Sequence, residues 1–123
     1  MPTLKEHYKK SEYNEKFFDD VKHEYPDWAI TGLFYAALHL MEAFLAVKGI
    51  HVEDHKERVN YIGRLSELKP LYQYYRALYD YSVNARYKMF SFTTESINKS
   101  YEDFFIPIKD NITKLLKKAG HLK

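Results

Sequence analysis

The chain has 123 residues, no cysteine and a formal net charge of +2. This length allows one domain with a substantial hydrophobic core, which we expect to cover residues 1–123, and excludes two such domains. The absence of cysteine excludes disulfides and thiolate metal sites and fits the cytoplasm, where we expect the protein to be located. The small net charge does not by itself indicate nucleic-acid binding.

Capping signals divide the first part of the chain into two helices. Residues 3–6 form a capping box, which opens a first helix running to about Tyr25, where Pro26 ends it. Asp27 is then expected to be the N-cap of a second helix, because a short side-chain oxygen can accept a bond from the first free backbone amides. Gly49 is expected to follow the end of that helix.

The middle of the chain is predicted to contain two further helices. Residues 54–57 form a second capping box, which starts a helix that ends at about Leu68. Pro70 suits the first turn of a fourth helix, which is expected to reach about Tyr87. Residues 90–94 are expected to form the link to the last helix.

The last helix is predicted from a sustained apolar stripe and ends at Gly120. Pro107 lies inside it and should kink it. Long helices with short connections and no predicted strand indicate an all-α fold, an antiparallel bundle of four to five helices. The residues of the stripe are Ile97, Tyr101, Phe104, Ile108, Ile112 and Leu115.

The second helix is apolar on nearly every side and has one narrow polar line. At 100° per residue, its polar groups Thr31, Tyr35, His39 and Glu42 fall within about 80° of one another. A helix that is hydrophobic all round is normally buried, and a buried histidine or carboxylate needs partners. The mid-helix histidine and carboxylate also argue against a membrane span, so we expect a bundle core and no membrane. This line is the predicted site.

Side chains of the third and fourth helices are expected to meet this line. The candidate catalytic residues are His39, His55, Arg58 and Arg86. The candidate binding residues are Tyr35, Glu42, Tyr79, Ser82 and Tyr87. Tyr75, Tyr79, Ser82 and Arg86 share one face of the fourth helix, because they are three or four residues apart.

Glu42 and Arg86 are expected to pair bidentately in one pocket, with His55 and Arg58 at its mouth. In the alternative interpretation the polar residues form only a buried hydrogen-bond network, in which Arg86 or Arg58 neutralises Glu42. The sequence leaves both interpretations open.

A metal site is the less favoured interpretation of the same residues. His39 and Glu42 lie on one helical face and His55 could join them, but no second ligand pair at helical spacing accompanies them. We therefore predict no metal and no cofactor. His51 is four residues before His55, but it is expected to be a surface residue in the loop before the third helix.

The tyrosine-rich fourth helix also has two interpretations. Tyrosines with arginines can stack on unpaired RNA bases. Tyrosines at every helical angle can equally form core on one side and a subunit interface on the other. We favour the second interpretation and predict a homodimer, since closed two-fold assemblies are the commonest oligomers.

Three segments resemble the HEPN superfamily of small helical-bundle proteins. They are FYAALHLMEAFLAVKGI, HVEDHKER and YRALYDYSVNARY, and together they cover about residues 28–87. The resemblance implies a bundle of four to five helices that is typically dimeric. It also implies a place among metal-independent ribonucleases or partners of nucleotidyltransferases, which act in toxin–antitoxin and defence systems.

The chain departs from the ribonuclease members of that superfamily in one motif. Those members carry an arginine followed four to six residues later by a histidine. After Arg58, Arg64, Arg76 and Arg86, no histidine occurs until His121. The resemblance therefore implies an RNA-associated or partner-binding module, with RNA, a nucleotidyltransferase or an antitoxin as its partner. The alternative is a metal-independent endoribonuclease with an atypical site of histidines and arginines.

Overall fold

A computed structural model describes residues 2–88 and 91–122, and the described part is a helical bundle without any strand. This confirms the predicted all-α class. The helices are α1 (Leu4–Val21), α2 (Pro26–Val47), α3 (His55–Arg64), α4 (Tyr72–Tyr87), α5 (Thr94–Ser100) and α6 (Ile106–Lys118). A 3₁₀ turn (Lys69–Leu71) precedes α4, and a π turn (Tyr101–Phe105) joins α5 to α6, so these last two form one continuous helix. Residues 89 and 90, in and beside the predicted link, lie outside the described residues.

Helix α2 is the centre of the bundle and packs against α1, α4, α5 and α6. Within residues 29–45, every residue is buried except Tyr35, His39 and Glu42. Among the described residues, α2 alone has the length and hydropathy of a membrane span. However, 72% of that stretch is buried inside the protein, as in the core helices of soluble proteins. Its burial follows from its sequence, because a helix that is apolar all round must be covered on most sides.

The predicted boundaries hold at α1's start and α2's end, and fail between the two helices. The capping box at Thr3 is present, and Gly49 has φ of 72° after the end of α2, as predicted. Helix α1 ends at Val21 rather than at Tyr25. The prediction that Asp27 is an N-cap is wrong. Pro26 is itself the first residue of α2, a position where its missing N–H costs no hydrogen bond.

Helices α3 and α4 begin near their predicted starts. The side chain of Asp54 accepts a hydrogen bond of 2.7 Å from the backbone N–H of Glu57 and so caps α3. Helix α3 ends at Arg64, earlier than the predicted Leu68. Pro70 lies in the 3₁₀ turn that leads into α4, where its fixed φ suits a helix start.

The last helix accommodates Pro107 through the π turn just before it. The N–H of Ile106 donates to the carbonyl of Tyr101, five residues back, and Pro107 lies in the first turn of α6. The wide turn shifts part of the predicted apolar stripe by one residue. Tyr101, Phe104 and Leu115 are only partly buried, whereas the fully buried side chains are Ile97, Phe105, Ile108, Ile112 and Leu116. Gly120, with φ of 84°, follows the end of the helix as predicted.

Candidate functional site

The polar line of α2 is the one side of this helix that reaches solvent along its middle. Tyr35, His39 and Glu42 are partly exposed, and each is one helical turn from the next. Thr31, which was predicted to share the line, is buried, and its hydroxyl donates to the carbonyl of Asp27 over 3.1 Å. The line therefore offers three accessible side chains between the flanking helices.

Glu42 is paired with Arg58 of α3. Both Nε and Nη2 of Arg58 donate to Oε1 of Glu42, over 2.9 and 2.5 Å. Oε2, the other carboxylate oxygen, lies 3.3 Å from Nδ1 of His7. Arg58 is 5% exposed, so the prediction that it stands at the mouth of the pocket is wrong. A buried guanidinium needs such a partner, because an unpaired charge in the interior is costly.

The predicted pairing of Glu42 with Arg86 is also wrong, and the arginine of the network alternative, Arg58, takes its place. Arg86 donates instead to the hydroxyl of Tyr35, over 2.8 Å. Tyr35 lies seven residues before Glu42 on α2, which corresponds to about 10 Å along the helix axis. Arg58 lies in the first turn of α3, which follows α2 in the chain after a short loop.

His7 of α1 completes the group around Glu42 and is not among the site residues predicted from the sequence. Its Nδ1 atom is 3.0 Å from Nδ1 of His39, and the two rings lie 5.2 Å apart. A signal was present, because Leu4, His7, Ser11 and Phe18 recur at helical spacing and form the inward face of α1.

Both histidines of this group are held neutral at pH 7. Burial and, to a smaller extent, the nearby His7 lower the pKa of His39 to about 4. Burial also lowers the pKa of His7, although the charge of Glu42 opposes that shift. Two neutral rings 3.0 Å apart share one proton, because one nitrogen must donate and the other accept. We place that proton on His7, whose Nδ1 also faces the carboxylate.

His55 joins the network from the start of α3. Its Nδ1 is 3.1 Å from Nη1 of Arg58, and its ring contacts the rings of Phe34 and Tyr79. Burial lowers the pKa of His55, and the charges of Arg58 and Arg86 act in the same direction. The ring also borders a cleft of about 260 Å³ between α3 and α4. His55 is therefore the predicted residue that links the buried network to a surface cleft.

The Tyr75 hydroxyl is the one buried side-chain polar atom of the described residues that has no hydrogen-bond partner. Burial raises the pKa of Tyr75 to about 12. The charge of Arg58 lowers that pKa and the charge of Glu42 raises it, so the hydroxyl lies near the ion pair. The ring itself packs against Phe34 in the core.

Arg86 forms a second, more open group at the other end of the polar line. Its Nε and Nη2 donate to the carbonyl and hydroxyl of Ser82, and its guanidinium lies 5.6 Å from the ring of Tyr35 and 5.2 Å from that of Tyr87. It borders a cleft of about 310 Å³, which we call the Arg86 cleft. The cleft is lined by Asp27, Trp28, Thr31, Ala85, Arg86 and Tyr87.

The predicted site residues thus lie in two groups rather than in one pocket. His39, Glu42, His55 and Arg58 belong to the buried network, which also includes the unpredicted His7. The predicted residues Tyr35, Ser82, Arg86 and Tyr87 belong to the Arg86 cleft or border it. Tyr79 connects the two, because its ring contacts His55 and its carbonyl accepts a hydrogen bond from the hydroxyl of Ser82.

A larger cleft, of about 530 Å³, lies between α3 and the start of α4. Tyr72 and Gly63 border it, but its lining contains no histidine and no carboxylate. This cleft therefore lacks the histidines and the carboxylate that meet along the polar line of α2. His51 is exposed in the loop before α3, as predicted. No family model, curated protein or solved structure matches this chain.

Proposed function

We propose that this protein is a HEPN-like, RNA-associated module that binds unpaired RNA bases in the Arg86 cleft. The observation that carries the proposal is the lining of that cleft, where an arginine lies beside two exposed aromatic rings. Trp28 is 61% exposed and Tyr87 is 71% exposed, and both border the cleft with Arg86. Large aromatic side chains this exposed are uncommon without a partner and are the stacking platforms that single-stranded nucleic acids use.

The contacts of Arg86 support this choice of ligand. Its guanidinium is held by Tyr35 and Ser82, so its plane and charge are fixed before a ligand arrives. No carboxylate pairs with it among the described residues, which leaves its charge available for a phosphate. A fixed guanidinium beside aromatic faces suits both a stacked base and the phosphate that follows it.

The intrinsic fluorescence of Trp28 provides the test, because it is the single tryptophan of the chain. Titration with a single-stranded oligouridine should quench this fluorescence and saturate. Tyr87→Ala should weaken the affinity by about 1–3 kcal/mol, the usual contribution of one stacked base. Arg86→Lys should weaken it as well, because lysine keeps the charge and loses the plane.

Tyr13→Ala is the matched control for these variants. Tyr13 is also an exposed aromatic, at 66%, and also lies beside a cation, with Lys10 4.7 Å from its ring centre, but it does not border the cleft. The Tyr13→Ala variant should therefore bind the oligouridine with unchanged affinity. An absence of quenching, or equal losses in Tyr13→Ala and Tyr87→Ala, would contradict the proposal.

A metal-independent endoribonuclease is a second candidate function, and the state of His39 favours it. RNA cleavage through the 2′-hydroxyl needs a base, an acid and a cation. His39 is neutral and partly exposed, it lies beside His7, and the charge of Arg58 acts on it. Incubation of the pure protein with mixed RNA in EDTA tests this function: cleavage that persists supports it, and intact RNA rules it out.

We also propose a homodimer in the cytoplasm, with a nucleotidyltransferase or an antitoxin as the protein partner that a HEPN-like role implies. The exposed rings of Tyr13, Phe17 and Tyr25 support a protein interface, because they are more aromatic surface than a small monomer usually leaves uncovered. Sedimentation equilibrium at micromolar concentrations should give twice the mass of the chain. A single-chain mass at high micromolar concentration would contradict this.

A further inference from the structure

We propose that His7, His39 and Glu42 form a binding site for one divalent transition-metal ion, with Zn²⁺ as the representative ligand. The site uses Nδ1 of each histidine and Oε2 of the carboxylate. It is built from two helices, since His39 and Glu42 are one turn apart on α2 and His7 projects from α1. This proposal does not depend on RNA binding, which we assign to the Arg86 cleft.

The spacing of the three atoms matches the first shell of a metal ion. The two Nδ1 atoms are 3.0 Å apart, and His7 Nδ1 is 3.3 Å from Glu42 Oε2. Neighbouring ligands of a tetrahedral or octahedral ion with bonds of about 2.1 Å lie roughly 3.0–3.4 Å apart. Each of the three residues offers a ligand atom within 4.8 Å of the other two, so a small adjustment of the side chains brings them around one centre.

The protonation state of the three groups also suits a cation. Three potential ligand atoms converge here, and a single ring proton, on His7 Nδ1, lies among them. When the ion binds, the proton of His7 moves from Nδ1 to Nε2, which leaves the ring neutral and releases no proton to solvent. The metal ion then occupies the place that the proton held.

The Glu42–Arg58 ion pair leaves the metal-facing oxygen free. Both bonds from Arg58 go to Oε1, so the guanidinium does not compete for Oε2. Arg58 instead orients the ligand carboxylate, as hydrogen-bonded outer groups commonly do in metal sites. Its positive charge weakens the attraction for any dication. Binding must therefore depend on the two imidazole donors, which favours Zn²⁺, Co²⁺ or Ni²⁺ over Mg²⁺.

The site has room for an exchangeable ligand. His39 is partly exposed on the open line of α2, and the side chain of Glu42 retains 13% of its exposure. Catalytic zinc sites, unlike structural ones, have three protein ligands and a further position that is open to solvent. A bound ion would occupy His39 Nδ1, so metal binding at this site and a metal-independent use of that nitrogen exclude each other.

The test is a calorimetric titration with Zn²⁺ of the full chain, after treatment with EDTA and dialysis. We expect one Zn²⁺ per chain and no competition from a large excess of Mg²⁺. His7→Ala and His39→Ala should each weaken the affinity by at least about tenfold, since even loss of an outer-shell partner costs that much. His23→Ala, which removes an exposed histidine outside the cluster, should leave the affinity unchanged.

A second measurement uses the unmodified protein, so it holds even where a variant fails to fold. The histidine ring signals in NMR spectra should respond to substoichiometric Zn²⁺ at His7 and His39 first, with those of His23 and His121 unmoved. The proposal is overturned if Zn²⁺ does not bind, if it perturbs the exposed histidines first, or if both folded alanine variants bind as tightly as the wild type.

Discussion

Two arginines meet the same helix in opposite ways. Arg58 is 5% exposed and holds a carboxylate of α2, whereas Arg86 is partly exposed and holds a tyrosine hydroxyl and a serine. The first guanidinium is paired with a carboxylate inside the protein, so its charge is not available to a ligand. The second keeps its charge beside an open cleft, so it is available to a ligand. For these two arginines, the partner in the folded protein, not the position in the sequence, determines whether the charge is available to a ligand.

The largest expected effect comes from removing the partner of the buried arginine. Glu42→Ala leaves the guanidinium of Arg58 unpaired in the interior, and the free energy of unfolding should fall by about 3 kcal/mol. Urea unfolding followed by circular dichroism measures the change. A loss below about 1 kcal/mol would show that water solvates the guanidinium of Arg58 once the carboxylate is removed.

The double variant Glu42→Leu with Arg58→Met is the control for that result. It removes both charges and keeps apolar volume, so it should recover much of the stability lost in Glu42→Ala. If the double variant is less stable than Glu42→Ala, the cost of an orphaned charge is not the source of the loss in that variant.

A smaller effect is expected at the open arginine. Arg86→Met removes the hydrogen bonds to Tyr35 and Ser82 but leaves no buried charge behind, so stability should fall by about 1 kcal/mol. The same urea experiment measures it, and oligouridine affinity should fall in the same variant. A stability loss as large as that of Glu42→Ala would remove the distinction between the two arginines.

The pH dependence of stability reports on His55 of the buried network. Its folded-state pKa is lowered by burial and by Arg58 and Arg86, while Asp54 and Glu42 oppose the shift. The unfolded chain therefore takes up the proton more readily than the folded one. The stability contribution is complete above the unfolded value of 6.5 and is lost as the pH falls through the lower folded pKa.

The difference between wild type and His55→Gln isolates this residue from the other histidines. As the pH is lowered from 7, the melting temperature should fall less steeply in His55→Gln than in the wild type. His121→Gln is the control, because His121 is exposed at the end of α6 and should leave the slope unchanged. Equal slopes for all three proteins would mean that His55 titrates normally in the folded state.

The smallest effect is expected at the unbonded hydroxyl beside the ion pair. Tyr75→Phe removes a buried polar atom that has no partner and keeps the ring that packs on Phe34. Stability should stay the same or rise slightly, because no hydrogen bond is lost. A fall of more than about 1 kcal/mol in urea unfolding would reveal a bond from this hydroxyl to Arg58 or to water.

The sequence determined the features that depend on a few neighbouring residues. The capping box at Thr3, the cap at Asp54 and the glycines after α2 and α6 follow from local hydrogen bonds and from φ values that other residues avoid. The central burial of α2 follows equally, because a helix that is apolar on all sides has to be covered by others. Its polar line was also visible from the 3.6-residue period.

Only the tertiary structure decided which side chains face that line. The choice between Arg58 and Arg86 as the partner of Glu42 depends on how far along α2 each neighbouring helix crosses it, and no local rule fixes that position. His7 was missed for the same reason, since its role appears only when α1 lies against His39. Contacts between helices distant in sequence are set by the packing of all their faces together, whereas periodicity gives only the face of each one.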